Sequence, residues 1–236
     1  MKHPSRRVFL LGLATPAALG GWRITGSQAQ PLVARPELGA VYAAVEDLYP
    51  VPAVDLSRIG AAFLRANVPY ETAEMPGTIV VDPAGHYLYL VGEGGMATRY
   101  GVGVGRAGFS WSGMATIGDK QVWPDWYPPK EMFARQPELL EQMSELRSGI
   151  GMRGGPGNPL GARALYLWKD NRDTLFRIHG TFEPWTIGKS VSSGCIRMIN
   201  QDAMHLYGRI DVGTKVVVLS PSKRPRRNNS AARRSS

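Results

Sequence analysis

The sequence predicts a mainly β fold, a β-sandwich or barrel-like sheet carrying a few short helices. Three observations predict it. Short β-branched and aromatic runs recur with period two from Gly77 onward, separated by turn signals such as Pro83-Ala84-Gly85 and Asp170-Asn171. The 236 residues include 28 Gly and 18 Pro, which favours many turns over a helical bundle. At 43% hydrophobic, the chain has enough apolar side chains to fill a core and is not a disordered polymer.

In chain order, residues 1–29 read as an export signal. Ser5-Arg6-Arg7-Val8-Phe9-Leu10 precedes an apolar stretch from Leu11 to Gly21, a pattern that resembles a twin-arginine signal peptide. Ser27-Gln28-Ala29 puts small residues at both positions a signal peptidase inspects, so cleavage is expected after Ala29. An ordinary secretory signal or an uncleaved anchor are the alternatives. The stretch is short and Gly-broken for an anchor, and either export route leads to the periplasm or cell envelope. Residues 30–77 are Pro-rich and predict a leader packing on the domain, with helices over Glu37–Leu48 and Leu56–Ala66.

The domain itself is expected over 78–219. Strands are predicted at Thr78–Asp82, His86–Val91, Ala97–Val104, Leu165–Trp168, Thr174–His179 and Lys215–Leu219. Helical spacing appears over Lys130–Arg147, with Pro137 breaking or starting a helix, and over Asn200–Arg209. Gly149 to Gly161 holds six glycines and two prolines and predicts a loop built of turns. Residues 220–236 predict a disordered basic tail.

The net charge of +9 belongs to the ends. Residues 1–30 carry four cations and 221–236 carry six, neither with any acid; removing those ten leaves 18 Lys and Arg against 19 Asp and Glu between 31 and 220. A neutral body argues against a nucleic-acid-binding domain. The tail has two readings, weak contact with an anionic envelope surface or a solvated tail without partner.

The chain has one cysteine, Cys195. In an exported protein it is either a reactive or bridging thiol or a buried inert one. Its surroundings favour reactivity. Arg177-Ile178-His179-Gly180-Thr181 ends a predicted strand, and Cys195 follows sixteen residues after His179 within Ser192-Ser193-Gly194-Cys195-Ile196-Arg197. Gly194 lets the backbone turn tightly before the thiol. His179 at a strand end is placed to take the thiol proton, a thiolate–imidazolium pair would lower the cysteine pKa, and the N–H groups around Gly194 and Cys195 would face an oxyanion. A structural zinc lacks ligands, since no second cysteine exists and His3, His86 and His205 are scattered. No metal and no organic cofactor is expected. Trp111, Trp123, Trp126, Tyr127 and Trp185 read as groove lining or as packing, without catalytic role.

These residues carry a resemblance. His179-Gly180-Thr181, Ile187-Gly188, and Ser192 to Met198 with Asn200 and Asp202 resemble the signature of the L,D-transpeptidase (YkuD-type) family. The likeness extends upstream through Val81–Tyr89, Gly101–Gly105 and Gly157–Gly161, about residues 78–219 in all. Ser193 stands where many members have histidine, and Phe182 where related chains often have Asn. The resemblance implies a peptidoglycan acyltransferase acting on tetrapeptide stems, with Cys195 as nucleophile, His179 as base and proton donor, and the Gly180 carbonyl orienting the imidazole. Gly194, Ser193 and Arg197 would serve the oxyanion or the substrate. Arg197 would fix the loop, pair with a substrate carboxylate or make a structural salt bridge. The chain is expected to work as a monomer, with another stem, a lipoprotein, a D-amino acid or water as acceptor. A papain-like hydrolase fits less well, because His179 precedes Cys195. A non-catalytic wall-binding protein would have little use for His179, Gly194 and Cys195 together.

Overall fold

The structure, a computed structural model, describes residues 36–105, 112–128, 130–192 and 194–220. The predicted export signal at 1–29, Trp111, Ser193 and tail residues 221–236 lie outside the described residues.

Residues 36–77 depart from the predicted pair of helices. Helix α1 is short (Pro36–Val41), and the chain then doubles back through a Val45–Val51 bridge, with Pro50 and Pro52 flanking Val51. The second predicted helix is two 3-10 turns, Leu56–Arg58 and Ala61–Phe63, followed by strand β1 (Ala66–Pro69). Asp55 closes the first turn by accepting the Ser57 N–H at 3.1 Å, and Gly60 separates the two. Tyr42, Ile59 and Leu64 are buried with Ile187 and Ile199 in a satellite core.

The remaining strands are β2 (Ile79–Asp82), β3 (Tyr87–Val91), β4 (Met96–Gly101), β5 (Val104–Gly105), β6 (Gly113–Val122), β7 (Ser144–Leu146), β8 (Gly149–Gly151), β9 (Arg163–Lys169), β10 (Arg172–His179), β11 (Ser190–Ser192), β12 (Ile196–Arg197) and β13 (Lys215–Val218). The other helical elements are α2 (Lys130–Arg135), followed by a 3-10 stretch at Pro137–Gln142, a 3-10 turn at Pro184–Thr186, and α3 (Asn200–Tyr207). Pro137 thus divides the helix predicted over 130–147, whose end is strand β7.

Nine strands form one mixed sheet in the order β1-β4-β3-β2-β13-β6-β9-β10-β12, with β13–β2 and β10–β12 parallel. The strand β6, at ten residues the longest, was not visible in the sequence. Its glycines weaken the period-two signal, but Gly118 is needed, because a Cβ there would fall 2.2 Å from the Trp168 ring on β9.

The sheet is rolled. Tyr100 on β4 bonds His205 on α3 at 2.8 Å, and α3 also lies against β9 and β10. At about 4.8 Å per strand a flat sheet would hold β4 and β9 about 24 Å apart, too far for one helix about 10 Å wide to touch both. Arg197 on the last strand also bridges Gly103, just beyond β4. Of the two forms expected, the mainly β sheet takes the barrel-like one. Ile79, Leu88, Tyr100, Ile117, Leu165, Ile178, Ile196 and Val216 fill its interior with Leu206 of α3.

A buried polar cluster ties residues 36–77 to α3. The Tyr42 hydroxyl donates to Asp202 Oδ2 at 3.1 Å and accepts the Arg65 N–H at 2.7 Å, while Arg65 Nε lies 3.6 Å from Asp202 Oδ1. Burial pushes the Asp202 carboxyl from 3.8 up to about 7, against the pull of Arg65 and Tyr42. Burial lowers His179 and His205 from 6.5 to about 4. Between about pH 4 and 7 the folded chain holds a proton on Asp202 that the unfolded chain has lost, so this group costs stability as pH rises. Between about pH 4 and 6.5 the two imidazoles are protonated only when unfolded, so they add stability as pH rises. Asp202→Asn removes the opposing contribution, and the urea midpoint of the variant should climb more steeply than that of the parent over pH 4–6.5. Parallel profiles would mean that Asp202 stays ionised in the fold.

Candidate active site

The site lies where β10 ends and β12 begins. The parallel register sets Ile178 beside Ile196 and His179 beside Arg197. Ile178 and Ile196 are fully buried in the core, so alternation turns Arg177, His179, Cys195 and Arg197 to the other face. Carried back one residue, the register sets Cys195 opposite Arg177, one strand across and two residues along from His179. That diagonal is about 8 Å between Cα atoms, within reach of a thiol and an imidazole pointing the same way. A backbone hydrogen bond from Arg177 to the Cys195 thiol agrees with this placement.

Gly194 makes the turn that presents the cysteine. Its φ of +130° is one that side-chain-bearing residues rarely adopt, and a Cβ would press on the Phe176 ring at 3.2 Å. Ser192 fastens the same turn, its hydroxyl donating to the Cys195 carbonyl at 2.6 Å and accepting the Gly194 N–H at 3.3 Å. The Gly194 N–H, expected to face an oxyanion, is thus engaged by Ser192 in this structure. The Cys195 N–H has no partner among the described residues.

His179 is 4% exposed, and its Nδ1 lies 2.6 Å from the Gly180 carbonyl oxygen. A carbonyl only accepts, so Nδ1 carries the hydrogen and Nε2 presents a lone pair. Burial is the largest influence on both groups. It lowers His179 to about 4, helped by Arg197 and Arg177 and opposed by the Gly180 bond. It also pushes the Cys195 thiol up, against the pull of Arg177 and Arg197, although the residue keeps some open surface. The resting pair is therefore neutral thiol and neutral imidazole, not the ion pair the sequence led us to expect.

Arg197 is committed to the fold. Its guanidinium reaches Glu183 Oε2 at 2.9 Å, and its backbone exchanges hydrogen bonds with Gly103 at 2.8 and 2.9 Å. Of its three readings, loop fixing and the salt bridge describe this arrangement. Arg177 forks onto both Asp173 oxygens at 2.7 Å and lies 4.1 Å over the Tyr166 ring. Sequence reasoning missed Glu183 and Asp173, which no local pattern marks. Trp123 is buried against Val51 and Ala162, and Trp185 lies under Arg58 at 4.2 Å, on the wall of a cavity that Cys195 does not line. Among the described residues no three His, Cys, Asp or Glu side chains gather as a metal site, and no helix is long and apolar enough to cross a membrane.

The sequence model of the YkuD L,D-transpeptidase catalytic domain matches residues 76–218, more than half of the chain, and takes in His179, the turn and Cys195. The chain belongs to this family. Its L,D-transpeptidase domain is 32% identical over 149 residues to the probable L,D-transpeptidase ErfK/SrfK of Escherichia coli K12, covering 60% of this chain and 43% of the relative. It is 30% identical over 159 residues to the probable L,D-transpeptidase YbiS of the same organism, covering 64% and 48%. The chain thus spans less than half the length of these curated relatives. A crystal structure from Brucella melitensis, described as a probable carnitine operon oxidoreductase, is 50% identical, with a TM-score of 0.46 over 70% of this chain and 99% of that one. The activity in that description belongs to that protein, whereas the signature residues of this chain fall inside the L,D-transpeptidase match.

Proposed function

We propose that the protein is an exported cysteine acyltransferase that remodels peptidoglycan. The observation that carries this reading is the fixed tautomer of His179, with Nδ1 spent on Gly180 and Nε2 basic, on the sheet face that also bears Cys195. The Cys195 thiol attacks the carbonyl of the third stem residue as His179 Nε2 takes its proton. The Cys195 N–H receives the developing oxyanion. The amide bond to the terminal D-alanine then breaks, its nitrogen leaving with the proton from His179, and a thioester remains. An amine of a neighbouring stem or protein attacks the thioester, giving up its proton to His179, and the thiol returns.

In this reading residues 78–219 are the catalytic domain, 30–77 support it, and 1–29 direct the chain to the periplasm. A test is incubation of the purified protein with disaccharide-tetrapeptide and mass analysis. A cross-linked dimer lighter by one D-alanine is expected. Disaccharide-tripeptide alone would mean that water is the acceptor and the enzyme a carboxypeptidase. An unreacted substrate with a freely alkylated thiol would overturn this choice of acyl donor.

A further inference from the structure

Beside the site, and lined by neither Cys195 nor His179, a cavity of about 200 Å³ opens between residues 51–58, the loop after Thr181 and the start of α3. Its walls are apolar, with Val54, Phe182, Trp185 and Ile199 among them. Of the polar groups on its wall, the donors are Arg58, Thr181, Asn200 and the backbone at the start of α3, and the acceptors are the Asp55 carboxylate and Gln201 Oε1, a buried oxygen without a partner among the described residues. The α3 N-terminus has Ile199 as its cap and no side-chain cap bond, and the Asn200 and Gln201 N–H groups have no carbonyl partner among the described residues. Asn200 is 4% exposed and lines the cavity. Its Oδ1 accepts the Ala162 N–H at 3.0 Å, which leaves Nδ2 as the free end, and that amide nitrogen has no hydrogen-bond partner among the described residues. Thr181, also 4% exposed, accepts the Glu183 N–H at Oγ1 and keeps its own hydrogen to give. Arg58 is held at the cavity by its stack on Trp185. The one acid in the lining, Asp55, bonds Ser57 within its own turn, and Asp202 in the first turn of α3 bonds Tyr42.

A dipole end, a guanidinium, a buried hydroxyl and the Asn200 amide N–H₂ converging on a small apolar slot select a carboxylate on an aliphatic body. From this geometry we infer that the cavity is a second binding site, for a small aliphatic carboxylate of the size of one amino-acid residue, with the carboxylate at Asn200 and Arg58 and the aliphatic part on Val54 and Trp185. The inference does not rest on the proposed reaction.

The chemistry has two sources, the C-terminus of a peptide and a free amino acid. The test follows the Trp185 indole N–H of the full chain by NMR, assigned with Trp185→Phe, during titration with N-acetylalanine, its methyl ester and free alanine. A saturable shift with N-acetylalanine, absent with the ester, is expected. It should weaken about tenfold in Arg58→Ala and disappear in Ala53→Phe, which fills the slot from an exposed position. Binding of N-acetylalanine alone assigns the site to peptide C-termini, and binding of free alanine as well assigns it to free amino acids. Equal binding of the ester, undiminished binding in both variants, or no shift at tens of millimolar acid would overturn the inference. The acid–ester comparison uses the parent protein, so it holds even where a variant folds poorly.

Discussion

A Cys195→Ala variant is expected to lose covalent acylation entirely and at least about three orders of magnitude of turnover. The chain has no second cysteine to substitute, and the Ser192 hydroxyl of the same turn is spent on the Cys195 carbonyl and the Gly194 N–H. The substitution removes one sulfur from a half-buried position and leaves the Gly194 turn and the β10–β12 pairing intact. Unfolding temperature should barely move while the acyl-enzyme mass disappears. Intact-protein mass after incubation with tetrapeptide reads both species directly. A variant that still gains the mass of the tripeptide would place the nucleophile elsewhere.

His179→Ala should cost about 10²–10⁴ in kcat/KM, the usual worth of a positioned general base. The shape of the pH profile separates this loss from simple damage. With the imidazole near 4 and the thiol raised, the parent should hold a flat profile through neutrality, with its acid limb near pH 4. The variant should lose that limb and gain activity with rising pH as bare thiolate forms. His179→Gln, which fills the same space without a base, should behave like the alanine variant. An acid limb near 6.5 in the parent would mean that the imidazole is solvated when the enzyme works.

The sequence carried the pieces whose signals are local. The β-branched run Ile79-Val80-Val81, the tyrosine–leucine alternation of Tyr87 to Val91 and the closing Lys215-Val216-Val217-Val218 are strands near where their side chains placed them. The His179–Gly180 bond and the Gly194 turn also stand inside a motif readable residue by residue. What was illegible depends on distant partners. Gly118 weakens β6 in isolation and makes sense only beside Trp168, 50 positions away in the chain. Residues 56–69 show helical spacing, yet Asp55, Gly60 and the free edge of β4 draw them into 3-10 turns and a strand. The protonation of the pair was misjudged for the same reason. Spacing says that two groups meet, whereas their pKa values follow from how much protein encloses them.

Strand β1 is four residues long, ends in Pro69, and lies along the outer side of β4 through Ala66–Arg99 to Pro69–Met96. It belongs to the segment ahead of the matched residues 76–218, so the family signature alone does not contain it. That makes it a shield against self-association. A proline-terminated strip occupies hydrogen-bonding groups that would otherwise be open to a strand from another molecule. A protein trimmed to its signature would keep His179 and Cys195 and would be prone to clump, edge against edge, in a manner unrelated to its chemistry.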